Sequence, residues 1–349
     1  MNRLYNAFTL FTSLLVEAVP FLLIGVVLSS ALILFLDNNP WIKKMPKNPI
    51  LGSILGSFFG FCFPVCECGN IPVARSFLLQ GLPTSVAVSF LLAAPTINPV
   101  VLWSTHVAFR GQPEIFWLRI IFSLTIAITV GCIFSFQKDA RPLLKPILAR
   151  RLTALMIQQE KEQAEAKARA NQTGDEAEKL SLLTSGSFLL SNDGQALKMD
   201  DSLLKSSAVT NSSRWREKFN LFLTSVHNEF KELGAILILG SAIAASIQVF
   251  VPREIILGLG QDSITSIIAM MVLAAVVSIC STVDSFFVLS FASTFTTSSL
   301  VAFLVFGPMI DIKAIGLMLS IFKPRMIIYL MFIAAQLTFI LTLSYNYFF

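Results

Sequence analysis

Charge is scarce in this chain. Only 13% of its 349 residues are Asp, Glu, Lys or Arg, against 55% apolar, with a mean hydropathy of +0.74. That deficit excludes an ordinary soluble enzyme. Histidine is nearly missing: His106 and His227 lie near expected span ends in unrelated positions, so neither a His-based metal site nor a Ser/His/Asp arrangement can be assembled. A Gly-rich phosphate loop is also lacking, so a pump driven directly by nucleotide would need a partner subunit. Trp and Tyr number four each against 31 Phe, a bias that suits lipid-facing and interhelical packing. Cysteines are few and odd in number (Cys62, Cys66, Cys68, Cys132 and Cys280) and lie in or beside apolar runs, which excludes a secreted disulfide framework. The alternation of a membrane barrel is absent too, leaving helices to satisfy the backbone in lipid. The net charge of +5 does not imply nucleic-acid binding, because basic residues beside membrane helices set orientation and anchor to headgroups.

What is present is a series of apolar runs near 8–36, 50–80, 83–109, 115–136, 227–251, 262–291, 298–321 and 325–347. The fold expected is all-α: a polytopic helical membrane protein of about eight spans, arranged as two related four-span halves with broken helices. Residues 1–136 form the first membrane repeat, 137–222 a polar and largely disordered linker, and 223–349 the second repeat. The run from Ala7 to Leu36 is too long for a signal peptide and reads as the first membrane helix. Residues 137–218 hold 14 of the 26 Lys/Arg and 11 of the 21 Asp/Glu, so the membrane portion is poorer in charge than the average says. Within this linker Gln158 to Arg169 has the spacing of a short solvated helix, and Ser181 to Ser213 the composition of disorder. Basic residues on the two sides nearly balance, with Arg119 counted opposite the linker; those flanking the linker lean it towards the cytoplasm. The expected location is the inner membrane, multi-pass.

The halves resemble each other in register. Glu17 lies eight residues before Gly25, as Glu232 does before Gly240; at almost the same offset Cys66 meets Cys280, Asn70 meets Asp284, and Ala94-Pro95-Thr96-Ile97-Asn98 meets Gly307-Pro308-Met309-Ile310-Asp311. Four crossing segments per half would make the halves parallel, whereas one re-entrant segment per half would make them inverted.

Chemistry gathers at the breaks. Cys66-Glu67-Cys68 lies between Pro64 and Gly69-Asn70-Ile71-Pro72, where a helix has reason to stop. Unwound, Cys66 and Cys68 converge, and Cys62 is placed to add a third thiol; such a set suits a soft, thiophilic species. The acids Glu17, Glu67, Glu232, Asp284 and Asp311 would each cost roughly 2.5–3.5 kcal/mol at a helix centre, so they must face a cavity, one another or the interface. Substrate binding is therefore expected at Cys62, Cys66, Glu67, Cys68, Asn70, Thr96, Asn98 and Cys280. Proton coupling is expected at Asp284, Asp311, Glu17 and Glu232. Asp311-x-Lys313 with Lys323 and Arg325 also reads as a span end, and most of the Ser and Thr residues as bonding helix carbonyls.

These motifs resemble a known family. Cys-Glu-Cys-Gly-Asn-Ile-Pro-Val-Ala-Arg from Cys66, Leu-Leu-Ala-Ala-Pro-Thr-Ile-Asn-Pro from Leu91 and Phe-Gly-Pro-Met-Ile-Asp-Ile-Lys from Phe306 are similar to the predicted-permease family that includes the trivalent organoarsenical efflux permease ArsP. The resemblance covers both membrane portions, not the linker. It implies an eight-span inner-membrane permease rather than an enzyme, with thiols carrying trivalent arsenic in the members that export it. The expected activity is secondary transport of a small or metalloid solute. No cofactor, resident metal or nucleic acid is expected; the lipid bilayer is the certain partner, and a homo-oligomer is compatible with the sequence. A membrane thiol-disulfide oxidoreductase relaying electrons between Cys66 and Cys280 is the alternative, and a non-transporting scaffold a third.

Overall fold

A computed structural model of the chain describes residues 2–36, 48–63, 65–135, 145, 153, 211–250 and 263–348. Pro64 and nearly all of the polar linker, with its expected solvated helix and disordered stretch, lie outside the described residues. The chain divides into two units, Met1–Leu152 with Ser225–Phe349, and Thr153–Thr224. Of the second, beyond Thr153, only the start of one long helix is described. Among the described residues the regular structure is helical throughout: α1 (Asn2–Leu36), α2 (Pro49–Cys62), α3 (Glu67–Leu79), α4 (Thr84–Ile97), α5 (Pro99–Ala108), α6 (Pro113–Ser135), α7 (Asn211–Phe250), α8 (Ser263–Val277), α9 (Ser281–Leu289), α10 (Thr297–Met309), α11 (Ile312–Ile321) and α12 (Pro324–Phe348). Among the described residues six stretches are long and apolar enough to cross a membrane: 5–32, 84–108, 113–135, 222–247, 297–321 and 324–348. The α2 and α8 helices are apolar but shorter.

Burial in the larger unit is the reverse of a soluble protein's. Phe58, Phe61, Trp103, Trp117, Ile328 and Phe332 are exposed, while Glu67, Arg119, Asp284, Asp311 and Lys313 are buried. Lipid solvates the apolar exterior, so the polar groups must find partners inside. At the centre stand α4, with every residue from Thr84 to Ile97 buried, and α10, buried from Ser298 to Met309. A helix apolar all round has no solvent-facing side to offer, which accounts for that position. The α2 and α6 helices pack on α4, and α8 and α12 pack on α10. Other contacts join the two sets of helices: α5 meets α9, α3 meets α11, and α4 meets α10. Small residues permit the closest approaches. Gly52, Gly56 and Gly60 form a stripe at four-residue spacing on α2, and a Cβ on Gly60 would come within 2.8 Å of the Ala94 amide nitrogen.

Each long broken run has a local cause. Pro99 at the start of α5 pushes Asn98 into extended backbone, with φ −69° and ψ 154°. Asp311, extended at φ −128°, ends the link between α10 and α11. Between α8 and α9 no Pro or Gly acts; instead Ser278 adopts φ +46°, a left-handed conformation costing roughly 1–3 kcal/mol for a non-glycine residue. One boundary differs from expectation: α7 begins at Asn211, ahead of its apolar run near 227. From Asn211 to Leu233 no Gly or Pro intervenes, and Arg, Glu, Lys and Leu prolong a helix well beyond its membrane-compatible portion.

Candidate functional site

Two helix N-termini meet inside the larger unit. Cys66, in extended backbone at ψ 179°, is the N-cap of α3, and Cys280, at ψ 139°, the N-cap of α9. The carbonyl of Cys66 accepts from the amides of Gly69 and Asn70, and that of Cys280 from those of Val283 and Asp284. The first amides of each helix are left without intrahelical partners, so both starts present positive dipole ends. The side chains of Cys68 and Cys280 lie close to that of Cys66. All three are buried and free.

Carboxylates occupy the positive ends. Glu67, the first residue of α3, accepts from the Ser281 hydroxyl at 3.1 Å, and its other oxygen is 3.9 Å from Lys313 Nζ. Asp311 caps α11 by accepting from the Ala314 amide at 2.6 Å, and the Ile312 amide donates to Ser278 Oγ at 3.2 Å. Asp284 lies in the first turn of α9, within electrostatic range of Glu67, Asp311, Lys313 and Arg119. Acids at helix N-termini gain from the dipole, one reason these three tolerate burial. Three carboxylates against two cations, Lys313 and Arg119, leave one negative charge unmatched when all are ionised.

The amides are used structurally. Asn98 Oδ1 accepts from the Val101 amide at 2.8 Å while Nδ2 donates to Ala94 O at 3.0 Å and Val65 O at 3.4 Å, so one side chain pins two breaks together. Asn98 and Asp311 cap α5 and α11 in the same way. Asn70 Nδ2 donates to Leu91 O at 2.8 Å. Thr96 bonds the carbonyls of Leu92 and Ala93, the role expected of most hydroxyls here.

Other expected residues lie elsewhere. Cys62 is at the exposed end of α2 and does not join the thiols; Cys280, at the cap of α9, lies close to Cys66. Glu17 is half-buried on α1, outside the cluster. Glu232 is exposed and pairs with Arg75 at 3.2 Å, near Ser29, whose hydroxyl reaches Glu229 at 3.0 Å. Lys313, which could have marked a span end, is instead 3% exposed and bound to Glu67. Sequence reasoning missed Ser278, Ser281's contact with Glu67, Glu229 and above all Arg119. Counted among the basic residues outside the membrane, Arg119 is in fact the largest fully buried side chain. Among the described residues no group of three or more His, Cys, Asp or Glu side chains has the geometry to hold a metal ion.

Thiols, buried carboxylates and a lysine at converging half-helix ends describe a polar centre within apolar helices. The sequence pattern of the predicted permease family, ArsP type, matches residues 3–347. The chain belongs to this permease family. A UPF0718 protein, YcgR, of Bacillus subtilis strain 168 is 35% identical over 319 residues, covering 91% of this chain and 90% of that one. A putative two-component membrane permease complex subunit of Streptococcus mutans serotype c is 30% identical over 327 residues, covering 94% of this chain and 90% of the relative. No solved structure matches. Membership in this family supports a transporter rather than an enzyme.

The thiol contact can be checked directly on the permease. In membranes, treatment with copper phenanthroline is expected to form an intramolecular Cys66–Cys280 disulfide, read by mass spectrometry after blocking free thiols. The Cys62–Cys280 product should be absent, and its dominance would contradict the arrangement.

Proposed function

We propose that this permease is a secondary transporter that exports a small thiophilic solute, such as a trivalent organoarsenical, through a site between the breaks of two related four-span halves. The carrying observation is the proximity of Cys66 to Cys68 and Cys280 at the caps of α3 and α9, with Glu67 bound to both Ser281 and Lys313. Soft sulfur donors bind a trivalent arsenical by exchange: each thiol proton leaves with an arsenic-bound hydroxide as water while an As–S bond forms, with no change of oxidation state. Proton return through Asp311, Asp284 and Glu67 would drive export, since their charge exceeds that of Lys313 and Arg119. The paired contacts α2–α4 with α8–α10, α4–α6 with α10–α12, and α5–α9 with α11–α3 support the two-half architecture. Glu17 and Glu232, outside this cluster, serve packing and pairing.

Expression in an arsenic-sensitive, inner-membrane export host tests the reading. Wild type is expected to raise tolerance to methylarsonous acid, and Cys66→Ser or Cys68→Ser to cancel the gain; tolerance indifferent to both thiols removes the arsenical substrate. The contact of Cys66 with Cys280 also favours a second reading, a dithiol relay. Trapping by alkylation in intact cells separates them: a Cys66–Cys280 disulfide that turns over without added oxidant supports the relay. The buried Glu67–Lys313 pair has no part in such a relay, which is why transport is preferred.

A further inference from the structure

The Arg119 guanidinium is wholly buried and has 0% exposure. It reaches from α6 to two other helices, with Nη1 donating to Thr105 Oγ1 of α5 at 2.8 Å and to Ser285 Oγ of α9 at 3.1 Å. Its Nε and Nη2 have no partner, and neither has Oδ2 of Asp284, the residue beside Ser285. Arg119 and Asp284 are close enough to interact electrostatically, yet they form no ion pair within 4.0 Å. An unmet polar atom in such a place is costly, and more so when charged. Gly307 of α10 adds no side chain here: a Cβ on it would be 3.8 Å from Asp284 Oδ2.

The chemistry that satisfies both groups is narrow. A bare anion accepts from the guanidinium but is repelled by the carboxylate, and a cation has the opposite difficulty. A neutral hydroxyl accepts from Arg119 through its lone pairs and donates its proton to Asp284. We propose that Arg119 and Asp284 form a binding subsite for a hydroxyl group carried by a small neutral solute. The Asp284 amide donates to the Cys280 carbonyl at 3.0 Å, so the subsite adjoins the thiols. The inference rests on the transport reading and deepens it: the solute is an uncharged hydroxylated species, a description that trivalent arsenic acids meet in water. A site built around such a group discriminates strongly against solutes lacking it, because two buried polar groups would then stay unpaired.

Equilibrium binding to the purified full-length protein tests the subsite with boric acid, a neutral trihydroxy acid at pH 7 without affinity for thiols, and with sulfate. Boric acid is expected to bind wild type, Arg119→Gln and Asp284→Asn each to weaken it at least tenfold, Arg119→Lys to recover part of the loss, and sulfate not to bind. Absence of boric acid binding, equal binding to Arg119→Gln and wild type, or preference for sulfate overturns the proposal. If Arg119→Gln does not fold, Asp284→Asn, nearly identical in shape, carries the same expectation alone. The thiol reading is followed separately through methylarsonous acid and Cys66→Ser, so its failure leaves the boric acid result independent.

Discussion

Replacing Lys313 by Met should lower the transition temperature of the purified permease by on the order of 10 °C and reduce transport at least a hundredfold. The ammonium is 3% exposed and lies 3.9 Å from Glu67, with Asp311 two residues away. Removing one member of a buried pair leaves the other charge uncompensated, at a cost of about 3–5 kcal/mol, and a loss of that size moves a transition by several degrees or more. The double variant Glu67→Gln/Lys313→Met removes the stranded charge, so it should regain most of the thermal stability without regaining transport. Differential scanning fluorimetry and flux into everted vesicles read the two effects separately. A single variant as stable as wild type would mean that Lys313 reaches water, contrary to its burial.

A comparable loss is expected from Gly25→Val, although the substitution touches no charge. The α1 helix crosses the start of α3 so closely that a Cβ on Gly25 would stand 2.5 Å from the Cα and 2.5 Å from the carbonyl oxygen of Gly69. Backbone cannot yield as a flexible side chain can, so the helices must separate. Overpacking of this kind typically costs about 1–3 kcal/mol. Here the displaced segment carries Cys66, Glu67 and Cys68, so transport should fall at least tenfold even in the folded fraction. Gly240 is more forgiving: a Cβ on it would be 3.6 Å from Lys313 Cα, an ordinary contact. Gly240→Ala should therefore retain most activity, and equal sensitivity at the two positions would argue against the difference in packing.

The breaks in the helices were legible because their causes are local. Pro99 forces Asn98 to be extended, and an acid in an apolar run signals a polar destination wherever its partner lies. Cys66 and Cys280, matched from two stretches more than two hundred residues apart, lie close together. Cys62 was expected among them from its one-turn spacing to Cys66, but that spacing applies only to a continuous helix, and α2 ends at Cys62. Arg119 escaped because an arginine four residues inside a run can equally extend to the interface. Its destination depends on whether hydroxyls of other helices are there to receive it.

Scarcity of charge alone determined the environment: apolar helices of this length have no stable place in water, and lipid permits only a self-satisfied backbone. The same scarcity marked the few acids and thiols as the residues to follow. Only the tertiary structure decided which of them act together. Glu67 meets Ser281 and Lys313 across more than two hundred residues of chain, and Arg119 joins α5, α6 and α9. Glu17 and Glu232, equally costly on paper, stay outside: Glu17 is half-buried on α1, and Glu232 has its partner in Arg75. Hydropathy records the cost of placing a charge in the membrane, whereas the compensation for that cost lies in contacts between distant helices.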